Sequence, residues 1–239
     1  MSVREYLKHH ASDYFYAIAI VLALSFVLGR TGFTAVSGSG RQAPVVVIID
    51  AGHGGMDGGT RSADGVKESG VNLEISLRLR DMLRFLGMDS LMTRTEDTGL
   101  DREGTTVREK KNSDLRNRVR LVNETQNGFL ISIHQNHFSQ SRYSGPQVFY
   151  AKGTESQAFA EVMQQNLNRV LAPDSNRSCK VAQDVYLMEH ITKPGILIEC
   201  GFLSNPAEAG KLQDPLYQKQ LAAVIAATAA QYIQPAVIG

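Results

Sequence analysis

The stretch Val45-Val46-Val47-Ile48-Ile49-Asp50-Ala51-Gly52-His53-Gly54-Gly55 decides the fold. Its β-branched run has no polar alternation, the pattern of a strand covered on both faces. The run breaks at a histidine bracketed by glycines, and a Gly-rich loop continues to Gly59. From Glu68 to Phe85 the apolar residues Val71, Ile75, Leu79, Met82 and Leu83 recur every three or four positions. That spacing predicts a helix with one apolar face, terminated at Gly87. A buried strand, a loop and an amphipathic helix are the repeating unit of an α/β domain.

The same alternation continues outward. Strands are expected at Asp89–Thr93, Phe129–His134, Gln147–Ala151, Val185–Leu187 and Ile196–Cys200. Helices are expected at Ser113–Glu124, entered through a Ser-Asp start signal, and at Glu155–Leu171, stopped by Ala172-Pro173. Two more follow at Ala207–Gln213 and Pro215–Ile233. The charged segment Arg94–Asn112 reads as a surface loop. The fold expected is one α/β domain over residues 45–235, an open, mostly parallel or mixed sheet with helices on both faces. Such sheets place their sites at the carboxyl ends of strands.

The 239 residues carry 43% hydrophobic and 21% charged side chains and a net charge of +1. Nothing there points to nucleic acid. Residues 1–13 read as a short cytoplasmic N-terminus containing Arg4 and Lys8. Residues 14–30 read as a signal peptide or membrane anchor, and 31–44 as a linker. The apolar stretch Tyr14–Leu28 is shorter than the ~20 residues of a spanning helix but suits a signal-peptide core. Export and extracytoplasmic action are therefore expected. Cys179 and Cys200 are too few for a disulfide framework, and Cys200 reads as a small buried hydrophobe.

His53, His134 and Glu199 fall at or just after strand ends, and Glu68 opens the first helix. A loop histidine is usually only solvated, but the glycines leave His53 uncrowded. Taken alone, Glu68 needs no explanation beyond the helix dipole. Glu199 interrupts Gly195-Ile196-Leu197-Ile198 and Cys200-Gly201-Phe202-Leu203, where an unpaired carboxylate is costly. Desolvation raises a carboxyl pKa, as a general acid/base near neutrality requires. Three ligands and a spare carboxylate are the parts of a catalytic zinc hydrolase. Asp50 is a candidate to orient an imidazole, Asp57 reads as a loop cap, and His137 as a rim residue.

Asp50–Gly55, Glu68, Ser132-Ile133-His134-Gln135-Asn136 and Glu199-Cys200-Gly201-Phe202-Leu203-Ser204-Asn205, in that order, resemble the zinc-dependent N-acetylmuramoyl-L-alanine amidases. The resemblance runs from about Val45 to Ile233. It implies one Zn2+ held by His53, Glu68 and His134, with Glu199 as the catalytic carboxylate and peptidoglycan as substrate. The Tyr143–Tyr150 stretch and the N-terminal segment are most similar to the germination-specific, spore-cortex branch, which implies a step towards muramic lactam. His137 departs from the small residue many relatives carry there. Asn136 and Arg118 are expected at the substrate, the arginine through a stem-peptide or muramoyl carboxylate. Another cell-wall zinc amidohydrolase or carboxypeptidase would use the same ligands. A catalytically silent peptidoglycan-binding module is a third reading, against which the retained Glu199 speaks. With no wall-binding repeat and no plugging helix in the sequence, control is expected from an activating partner protein or from expression timing.

Overall fold

The apolar runs become six strands: β1 (Val46–Ala51), β2 (Ser90–Met92), β3 (Gly128–Asn136), β4 (Gln147–Tyr150), β5 (Lys180–Val181) and β6 (Gly195–Phe202). The helices between and after them are α1 (Glu68–Phe85), α2 (Val107–Glu124), α3 (Thr154–Leu171), α4 (Tyr186–His190), α5 (Pro206–Gln213) and α6 (Pro215–Ile233). This is a computed structural model, and it describes residues 44–233. The N-terminal segment and nearly all of the linker lie outside the described residues. Among those described, no helix is long and apolar enough to cross a membrane.

The strand order is β2-β1-β3-β6-β4-β5. Neighbours are parallel except β4, which runs antiparallel to β6. The two-residue period of a strand sorts its side chains between two cores. Val47 and Ile49 of β1 join Phe129 and Ile131 of β3 under α1, α3 and α6, against Ile75, Leu79, Phe159, Met163 and Ile225. Ile48, Leu130 and Leu197 face the other way, against Val122 of α2 and Leu187 and Met188 of α4. Truncating a fully buried side chain such as Leu79 to alanine costs about 2–5 kcal/mol. This two-sided burial explains the long apolar runs in the strands and makes the polar side chains within them, Asp50, Ser132, His134 and Glu199, stand out.

Two sequence expectations are corrected. The second helix begins at Val107, not Ser113, because Thr106 and Glu109 form a reciprocal capping box six residues earlier. Only the first part of Arg94–Asn112 is therefore loop. Val185–Leu187 is not a strand: Tyr186–His190 is a helical turn whose Leu187 and Met188 are buried. Five residues are too few to display a helical period, and Val-Tyr-Leu carries strand propensity. The edge strand in that region is Lys180–Val181, paired with β4.

Candidate metal centre and active site

At the end of β1 the chain turns through His53, whose φ of 61° lies in the left-handed region. That conformation is strained for a non-glycine residue. Gly54 and Asp57 exchange backbone hydrogen bonds of 2.8 and 3.1 Å across the turn. Arg118 donates to the His53 carbonyl at 2.7 Å. Arg94 donates to the carbonyls of Ala51, Gly52 and Ser69 at 2.8, 3.0 and 2.8 Å. It thus ties the His53 turn to the first turn of α1, where Glu68 sits. Gly52 is required for close approach, since a Cβ there would lie 2.2 Å from His134 Nε2.

The turn brings three sequence-distant residues together. One ligand atom each from His53, Glu68 and His134 lies within 4.8 Å of the others. Glu68 Oε2 is 3.3 Å from His53 Nε2, and its Oε1 is 3.0 Å from His134 Nδ1. The Gln135 backbone N–H and the Asn72 amide also donate to Oε1. His53 Nδ1 faces Asp57 Oδ2 at 3.0 Å, which leaves Nε2 turned towards Glu68. Burial opposes charge on His53, but the bonds to Asp57 and Glu68 outweigh it and lift the pKa to about 9. Burial likewise opposes the Glu68 carboxylate, yet the two histidines hold it well below the usual range. Two imidazoles gathered around an ionised carboxylate form a centre that can take a divalent cation.

Glu199 is the register partner of His134 in the neighbouring strand. Its Oε2 is shut off from solvent with no hydrogen bond among the described residues. Burial, partly offset by His134, pushes its pKa up to about 7. Asn136 closes β3 after an irregularity in the pairing, opposite Phe202, and is half-buried. His137 is exposed and lies outside the three-residue cluster. Both cysteines are free thiols.

Two expectations need correction. Arg118 does not reach towards substrate: it is 2% exposed, and all five of its N–H donors are engaged by Asp50, Asp114 and the Ala51 and His53 carbonyls. Asp50 does not orient an imidazole. It accepts from Arg118 at 2.5 Å, Ser132 at 2.6 Å and Thr93 at 3.0 Å, beneath the site. The aspartate bonded to an imidazole is Asp57, four positions after His53, a spacing that the bend at Gly54 makes productive. Arg94 was hidden by the charged segment it opens, although it is 4% exposed.

With this geometry in place, comparison with known proteins is decisive. Residues 47–231 match the family model described as N-acetylmuramoyl-L-alanine amidase. The chain belongs to the N-acetylmuramoyl-L-alanine amidase family. One relative is the germination-specific amidase of Bacillus subtilis strain 168, 42% identical over 182 residues that cover 75% of this chain and 76% of the relative. Among solved structures, the CwlD amidase of Clostridioides difficile, determined in complex with the GerS lipoprotein, has a TM-score of 0.76 and 37% identity. That match covers 80% of this chain and 99% of CwlD. The catalytic domain of CwlV from Bacillus (Paenibacillus) polymyxa var. colistinus matches with a TM-score of 0.66 at 28% identity, over 79% of this chain and 97% of that domain. The amidase fold therefore accounts for the described residues from end to end.

Proposed function

We propose that this amidase cleaves the amide between the lactyl group of N-acetylmuramic acid and L-alanine, with one zinc ion held by His53, Glu68 and His134. The donor set fits that ion: two imidazole nitrogens and one carboxylate oxygen are the ligands of open, catalytic zinc sites. When bound, zinc lowers the pKa of water and stabilises negative charge developing on the amide oxygen. Asp57 holds Nδ1–H of His53 and so keeps Nε2 as the ligating nitrogen. Arg94 and Arg118 hold the backbone that carries it.

Glu199 takes a proton from the attacking water. Glu199, whose pKa burial pushes up to about 7, would be held in its ionised form with a cation beside it. As the C–N bond breaks, Glu199 returns the proton to the departing L-alanine nitrogen. The products are a lactyl carboxylate on the glycan and a stem peptide with a free amino terminus. Asn136, half-buried at the end of β3, is placed to orient the substrate. The observation that carries this reading is the buried, unbonded Glu199 Oε2 in the strand beside His134.

Likeness to the germination-specific amidase and to CwlD supports a role in the spore cortex. The CwlD complex with a lipoprotein supports control by a partner protein. Action is extracytoplasmic, with the N-terminal segment as export signal or anchor. The test is digestion of purified cortex and vegetative peptidoglycan by the full chain with zinc, products being read by mass spectrometry. Stem peptides beginning with L-alanine, lost on chelation and restored by zinc, are expected, with cortex the better substrate. Product peptides with L-alanine still attached to muramic acid would overturn the assignment of the bond.

A further inference from the structure

The wall beyond Glu199 holds two guanidinium groups that the catalytic scheme does not use. Gln147 stands directly across from Glu199 in the antiparallel β4–β6 pairing. The Gln147 amide oxygen accepts from Arg177 Nη1 at 3.3 Å, and the Ser144 carbonyl accepts from Arg177 Nη2 at 3.2 Å. The Arg177 guanidinium lies 5.2 Å from the centre of the Phe202 ring. Tyr143 stacks on Phe202 at 6.1 Å, and Arg142 covers Tyr143 at 5.2 Å. Phe138, 48% exposed, meets Tyr143 edge-on at 5.1 Å. Among the described residues, neither arginine has a carboxylate within ion-pair distance, and Arg177 uses only two of its five donors on protein acceptors.

This wall is built rather than merely exposed. The Phe138 N–H donates to Ser204, the Asn205 amide donates to the Tyr143 carbonyl, and the Gly145 N–H donates to buried Glu208 at 2.7 Å. The loop is therefore fastened at three points to the turn and helix that follow Glu199, and at a fourth by Arg177. A solvated surface arginine would need no such mounting. Fixing the Arg177 guanidinium without a counter-charge makes sense if an anion arrives with the ligand, because a guanidinium pairs a carboxylate through two parallel hydrogen bonds.

We infer that Arg177, mounted between Gln147 and the Phe202 ring, forms a subsite for the stem-peptide carboxylate that follows L-alanine on the leaving side. The inference rests on the amidase reading. Arg177 bonds the side chain of Gln147, one strand across from Glu199, a reach that an extended peptide covers in about two to three residues. A neutral sugar would leave the Arg177 guanidinium unpaired, whereas a peptide carboxylate pairs it through two parallel hydrogen bonds.

The test uses the full chain with zinc and two muramoyl peptides that differ only in the second stem residue, a free carboxylate in one and a primary amide in the other. Amidation is expected to raise KM by ~10-fold or more, the worth of a charge-assisted hydrogen bond, with little change in kcat. Arg177→Gln should remove most of that discrimination, Arg177→Lys should keep part of it, and zinc content should stay that of the wild type. Equal KM for both peptides in the wild type, or full discrimination in Arg177→Gln, overturns the subsite. Calorimetry with the two free stem peptides separates this from failure of the amidase reading. Carboxylate-selective binding lost in Arg177→Gln would uphold the subsite even if no amide were cut. Equal binding of both peptides would sink it.

Discussion

The two flanks of the candidate metal centre are built on opposite plans. On the β1–α2 flank the buried charges Asp50 and Arg118 are met within the protein: Arg118 spends all five donors, and Asp50 receives three hydrogen bonds. On the β6–β4 flank the groups are left incomplete. Glu199 has an unbonded buried oxygen, and Arg142 and Arg177 lack acidic partners among the described residues. The first flank is finished without a ligand and can therefore fix a strained turn in advance. The second is finished only by what binds there. Beside this centre the saturated network holds the turn in place, and the unsaturated groups are the candidates for chemistry.

The contrast breaks most visibly at Arg118. Replacing it with methionine strands the buried Asp50 carboxylate, a loss of about 3–5 kcal/mol that denaturant unfolding of the zinc-free chain would register. Asp57→Asn should leave folding nearly intact but weaken zinc binding by about 10–100-fold, measured by competition with a chelating dye. Unchanged affinity would mean that Asp57 does not set the His53 nitrogen. Thr106→Ala removes the cap of α2 and should cost about 1 kcal/mol. The same cap is acid-sensitive. Backbone bonds from Thr106 and Thr105 draw the Glu109 pKa from 4.5 to about 2. The stabilisation is complete above 4.5 and disappears as pH falls through about 2, visible as fraying of α2 by hydrogen exchange. Smallest of all, Arg142→Gln should move stability by no more than about 0.5 kcal/mol, since its flank is not built for folding. A large loss there would erase the distinction between the flanks.

Most of the fold was legible because both sheet faces are buried. Val45–Ile49 and Ile196–Ile198 have no polar residue to confuse the reading, and α1 shows its period plainly. His53, His134 and Glu199 were legible for a related reason, since a polar side chain late in or just after an apolar strand stands out, whereas Glu68, at the start of α1, stood out only beside the histidines. What escaped depends on contacts between distant segments. Asp57 meets His53 only because the chain bends at Gly54. Arg94 and Arg118 look like members of charged runs and become structural only when β1 supplies carbonyls to them. The start of α2 was missed because its capping box lies in a polar stretch with no apolar period.

The account stands most directly on Glu199→Gln. The zinc content of the variant, its unfolding midpoint without metal at pH 8, and its turnover of peptidoglycan should be measured on one preparation. Burial raises the Glu199 pKa from 4.5 to about 7, so what this group contributes to the stability of the metal-free chain is fully present below 4.5 and is lost as pH rises through about 7. The neutral amide escapes that penalty. The variant is expected to bind one zinc ion, to be at least as stable as the wild type at pH 8, and to lose about 10²–10⁴-fold in turnover. Turnover equal to wild type would contradict the assignment of Glu199 as the proton carrier, and loss of zinc would make it a ligand instead.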